Sequence, residues 1–152
     1  MEEIEHCLIE RLNKIFQNEE NQRDLKDLYL ISKNLDNSEV WMETCLVKDQ
    51  FQDYSIYSDK SDESVTPIRL QGCTSSLGTH THPKNLGKGF KGISEFSQVD
   101  EIFADQKLLA PEDSLSTFCI QGLEDDKIKC RINSKKMNCS YEDNIFETEI
   151  IL

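Results

Sequence analysis

The chain has 152 residues, enough for one domain that buries a core without disulfide staples. Its 37% hydrophobic and 30% charged residues are ordinary for a globular protein, but the net charge is −12. That balance excludes a nucleic-acid or anionic-membrane surface, because both need clustered Lys and Arg. It suits a basic protein partner, or simply a solvated acidic surface.

The chain opens with Ile4, Leu8, Leu12, Ile15 and Phe16 at three- and four-residue spacing, which predicts an amphipathic helix. After a polar break over 18–22, Leu25, Leu28, Leu30 and Ile31 predict a second helix, closed by a polar turn over 34–38. A mostly apolar run predicts a strand over 40–47, with Glu43 set inside it. Residues 54–57 and 65–70 are weaker strand candidates, and Pro67 demotes the second to an edge or irregular segment. A short strand over 74–80 delivers His80 and His82 at its end.

Pro83 then interrupts regular structure. The segment 84–92, where Gly87, Gly89 and Gly92 alternate with Lys88, Phe90 and Lys91, reads as an insertion loop. Val99, Ile102, Phe103, Leu108 and Leu109 predict a helix over 97–110, stopped by Pro111. Strands are expected over 116–120, 128–132 and 145–152, with an acidic hairpin loop over 122–127. Helices leading, strands in the middle and a helix after the histidines predict one α/β domain over 1–152, a mixed sheet with helices packed against it.

No apolar run approaches the ~18 residues that span a bilayer, and the acidic start Met1-Glu2-Glu3 lacks the features of a secretory signal. A cytoplasmic protein is the expectation. The six cysteines permit a disulfide framework, but none form a Cys-x-x-Cys pair. Cys119 and Cys130 lie among apolar residues, so the set reads as small buried thiols in a reducing compartment.

Two of the three histidines form His80-Thr81-His82. Residues two apart on a strand face the same way, so both imidazoles can grip one metal ion. Catalytic zinc takes three N or O ligands and keeps one position open. His6 falls on the polar side of the first helix, so a carboxylate must complete the set. Ser97 is a candidate N-cap, and Asp100, three residues on, lies on the first helical turn.

His80-Thr81-His82-Pro83 followed by Ser97-Gln98-Val99-Asp100 resembles the JAMM motif of the MPN-domain (JAB/Mov34) metalloproteases. Glu43-Thr44-Cys45-Leu46 resembles that family's Glu-x-Cys-Gly-Leu strand, and the likeness runs over about residues 4–132. The resemblance implies the catalytically competent branch. It implies a curved mixed sheet flanked by helices, in a cytidine-deaminase-like architecture with a zinc site at the sheet edge. It implies His80, His82 and Asp100 as zinc ligands, Glu43 as general base and Ser97 as oxyanion donor. The implied reaction is hydrolysis of a peptide or isopeptide bond, with a ubiquitin-like or sulfur-carrier-like conjugate as substrate. The sequence departs from the pattern in the 14 residues between His82 and Ser97 and in Leu46 at the glycine position. Glu39, on the same stretch, rivals Glu43 as the base. The alternatives are an MPN-fold scaffold without catalysis and a metal-dependent hydrolase of small amides.

Overall fold

The structure is a computed structural model that describes residues 2–35, 38–60, 65–67, 70–82, 84–85, 90–91, 95–122 and 127–152. Helix α1 (Glu2–Gln17) buries Leu8, Leu12, Ile15 and Phe16. Asn18 then caps α2 (Glu19–Asn34), its side chain accepting from the Asn21 N–H at 3.0 Å. Strands β1 (Trp41–Val47) and β2 (Gln50–Tyr57) form a hairpin. Then follow β3 (Ser76–His82), the short strands β4 (Lys84–Asn85) and β5 (Phe90–Lys91), and helix α3 (Gln98–Leu109). Strands β6 (Leu115–Gly122), β7 (Lys127–Asn133) and β8 (Ile145–Ile151) close the chain.

Six strands make one mixed sheet in the order β2-β1-β3-β6-β7-β8. All its pairs are antiparallel except β3 with β6. A parallel pair needs a crossover, and α3 lies within this one. The helices divide the core between the two sheet faces. Against α1 and α2 pack Met42, Leu77, Cys119, Ile128, Cys130 and Ile132. Against α3 pack Trp41, Leu115 and Phe118, with Ala104 and Leu108 supplied by the helix. Alternation along β1 puts the neighbours Trp41 and Met42 into different cores, as a strand buried on both faces requires.

The α/β class, the three helices and the main strands agree with the sequence reading. Several details correct it. Strand β2 begins at Gln50 rather than residue 54, because Lys48 (φ 52°) and Asp49 (φ 64°) make a two-residue turn with both residues left-handed. Asn21 pins this turn from α2, donating to the Asp49 carbonyl and accepting from the Phe51 N–H, each at 2.9 Å. No strand covers Val65, Thr66, Pro67 or Leu70, while 68–69 lie outside the described residues. The segment read as a bare loop over 84–92 contains the paired strands β4 and β5, and residues 86–89 and 92 lie outside the described set. Of the expected 122–127 loop, 123–126 likewise lie outside it.

The reading of the cysteines as buried thiols is overturned. Cys7–Cys139, Cys45–Cys73 and Cys119–Cys130 are disulfides, and no cysteine is free. Apolar neighbours misled because Cys119 and Cys130 face each other directly across β6 and β7, a pairing that local sequence does not reveal. Disulfides persist in oxidising compartments, so the thiol argument for a cytoplasmic protein falls with them. No helix among the described residues is long and apolar enough to cross a membrane.

Candidate metal centre

The parallel pairing of β3 with β6 decides what meets at the site. A crossover helix runs back against its strands, so its N-terminus returns to the carboxyl end of the strand before it, the usual ligand position in α/β sheets. His80 and His82 end β3, and Ser97 with Asp100 begin α3. The 14-residue spacer therefore does not separate them. The site lies at the end of an interior strand, not on a border strand of the sheet.

The two imidazoles converge, with His80 Nε2 3.0 Å from His82 Nε2. Asp100 spans both, its Oδ1 3.1 Å from His80 Nε2 and its Oδ2 3.2 Å from His82 Nε2. Ligands on a tetrahedral zinc ion stand about 3.3 Å apart, from Zn–N bonds of about 2.0–2.1 Å. The donor set is two imidazole nitrogens and a carboxylate, held at nearly that separation, so the residues fit a divalent metal. The second carboxylate at the site is Glu39. Its Oε1 lies 3.7 Å from His82 Nε2 and 4.0 Å from His80 Nε2. Glu39, His80 and His82 offer ligand atoms that all lie within 4.8 Å of one another, a group that could hold a metal ion.

Electrostatics favour the ligating protonation states. Burial lowers the His80 pKa against the opposing pull of Asp100, a shift toward the neutral imidazole that metal binding requires. Burial alone would raise the Asp100 pKa, but hydrogen bonds from both histidines outweigh it. They hold this carboxyl well below the usual carboxylate range. The α3 N-terminus adds to the same preference for negative charge. Ser97 and Asp100 form a reciprocal cap: Ser97 N–H donates to Asp100 Oδ2 at 2.9 Å, and Asp100 N–H donates to Ser97 Oγ at 3.1 Å. As an acceptor in this cap, the Ser97 hydroxyl keeps its own proton for another partner.

Behind the ligands stands an aromatic wall. His80 stacks on Trp41 with ring centroids 6.2 Å apart and lies 5.2 Å from the Phe118 ring. Trp41 pairs with His80 across β1 and β3, and its indole covers Gly78. A Cβ built at Gly78 would meet Trp41 carbons at 2.3 and 2.4 Å, so only glycine admits the ring there.

The structure thus brings His80, His82, Asp100 and Ser97 to one place, with Glu39 as a second carboxylate 3.7–4.0 Å from the histidines. Residues 39, 41 and 43 alternate onto one face, so sequence periodicity cannot separate the two glutamates. Register does. Trp41 lies opposite His80, and Glu43 lies opposite Gly78, further from the strand end. The indole over Gly78 fills the space between. Fully buried there, Glu43 accepts the Leu70 N–H at 2.8 Å and ties the approach to β3 onto β1. Sequence reasoning also passed over the buried hydroxyls of Thr81 and Ser32, which join α2 to this end of the sheet. No family model, curated protein or solved structure matches the chain.

Proposed function

We propose that this protein is a zinc-dependent peptidase or isopeptidase of the JAMM/MPN type, with Glu39 as its general base. One observation carries the reading: two histidines and Asp100 converge at 3.0–3.2 Å with a second carboxylate alongside. His80, His82 and Asp100 would hold the metal. Zinc bound there supplies a Lewis acid that polarises a scissile carbonyl and acidifies water. Glu39 is positioned to take the proton of the attacking water and return it to the leaving amine. Ser97, at the lip of the site, would donate a hydrogen bond through its hydroxyl to the developing oxyanion. The aromatic wall keeps water from the back of the ligands and so strengthens their electrostatics.

The substrate we propose is a conjugate of a ubiquitin-like protein, which the motif resemblance supports. The disulfides favour an oxidising compartment over the cytoplasm. The test uses zinc-loaded protein on two probes: ubiquitin joined through its C-terminal glycine to a fluorophore-bearing lysine, and a small aryl amide. Cleavage of the first, abolished by chelation and by Glu39→Gln, is the expected result. Cleavage of the aryl amide alone would make it a small-molecule hydrolase. Metal binding without cleavage of either would leave a scaffold.

A further inference from the structure

A ring of hydrogen bonds encloses the two peptide units that flank Glu39. Val40 N–H donates to Thr81 Oγ1 at 3.0 Å, Thr81 Oγ1 donates to Ser32 Oγ at 3.0 Å, and Ser32 Oγ donates to the Ser38 carbonyl at 2.6 Å. The donors run one way around, so each hydroxyl both accepts and donates and each bond polarises the next. Two more bonds brace the same stretch. Thr81 N–H donates to the Val40 carbonyl at 3.0 Å, and Ser58 Oγ donates to the Glu39 carbonyl at 3.0 Å. Thr81 and Ser32 are both 0% exposed, so water does not compete for their hydroxyls.

Alternation along β3 turns Thr81 away from His80 and His82, toward α2. Thr81 therefore touches neither a metal held by the histidines nor a substrate above them. Yet it is covalently joined to both ligands, hydrogen-bonded to Val40 on one side of the base and linked through Ser32 to Ser38 on the other. We infer that Thr81 and Ser32 are positioning residues that hold Glu39 at its distance from the two imidazoles. The inference rests on the reading of Glu39 as the carboxylate beside the metal. Displacement of a reacting group by about 1 Å can cost about 100-fold in rate, so such a brace has a catalytic consequence.

The test is the visible spectrum of protein loaded with Co2+ in place of zinc, for wild type, Glu39→Gln, Thr81→Val, Thr81→Ser and Ser32→Ala. Glu39→Gln should change the cobalt ligand-field bands, and Thr81→Val and Ser32→Ala should change them in the same direction. Thr81→Ser, which keeps the hydroxyl, should match wild type. Amide exchange at Val40 should speed up at least about tenfold in Thr81→Val and stay slow in Thr81→Ser, with or without metal. On the ubiquitin conjugate, Thr81→Val should lose kcat while KM holds. Wild-type bands in Thr81→Val, beside altered bands in Glu39→Gln, would overturn the inference and leave the proposed function standing. Unaltered bands in Glu39→Gln would instead remove Glu39 from the metal's surroundings, and this inference with it. A wild type that takes up no cobalt would end both.

Discussion

Glu39 lies just ahead of β1 and Glu43 within it, and the proposed function gives them different work. Glu39→Gln should abolish hydrolysis, by about 100-fold or more for loss of a general base, while zinc stays bound. Glu43→Gln should act on stability instead, because it disturbs the buried carboxyl that accepts the Leu70 N–H. A melting experiment should show a loss of about 1–3 kcal/mol, with hydrolysis persisting in the folded fraction. Asp100 gives the metal-free protein an acid-sensitive term. Its folded pKa is depressed by the two histidines despite burial, so the stability it contributes is present above the ordinary carboxylate value. That stability is lost as pH falls below about 4 toward the folded value. Denaturant titrations of the apoprotein should show this acid loss, and Asp100→Asn should remove that part of it.

At the level of elements, the periodicities of α1, α2 and α3, the apolar residues of β1, β6 and β7 and a short strand carrying the histidines were legible in the sequence. Ser97 and Asp100 could be read as a cap from spacing alone. Register was not legible, because it is a property of two strands. It took the pairing of Trp41 with His80 to place Glu39 at the histidine end of β1, and the pairing of Cys119 with Cys130 to turn two apolar-looking thiols into a disulfide. The start of β2 was missed because Lys48-Asp49 lacks the glycine that usually signals a left-handed turn. Gly78 shows how closely β1 and β3 approach beneath the site. Gly78→Ala should displace Trp41 and with it the support of His80, lowering the melting temperature and weakening zinc binding in a chelator competition. At the far end of α3, Lys136 Nζ donates to the carbonyls of Lys107 and Ala110 at 3.1 and 2.7 Å. Lys136→Met should leave these carbonyls without the charged donor and destabilise the fold by about 1–3 kcal/mol, measured by denaturant unfolding.

Across the whole molecule, Cys7–Cys139 joins α1 to the segment ahead of β8 and closes 132 residues of chain. By loop-closure entropy alone, a link of that span stabilises by roughly 5 kcal/mol. Mass spectrometry after alkylation should find no modified cysteine in the native protein and six after reduction of the unfolded chain. Cys7→Ala/Cys139→Ala should melt well below wild type. The site would then remain assembled in the folded fraction, since its residues come from 39, β3 and α3. The parallel β3–β6 pair is what makes that assembly possible, by returning α3 to the histidines. Everything proposed here requires a metal centre at this junction, and metal content per chain reports on it. Wild type, His82→Ala and Glu39→Gln would be purified side by side, supplied with zinc, desalted and analysed for bound metal. About one zinc per chain in wild type and Glu39→Gln, and little in His82→Ala, is the predicted result. Wild-type protein that retains no zinc, or His82→Ala that retains as much as wild type, would contradict it.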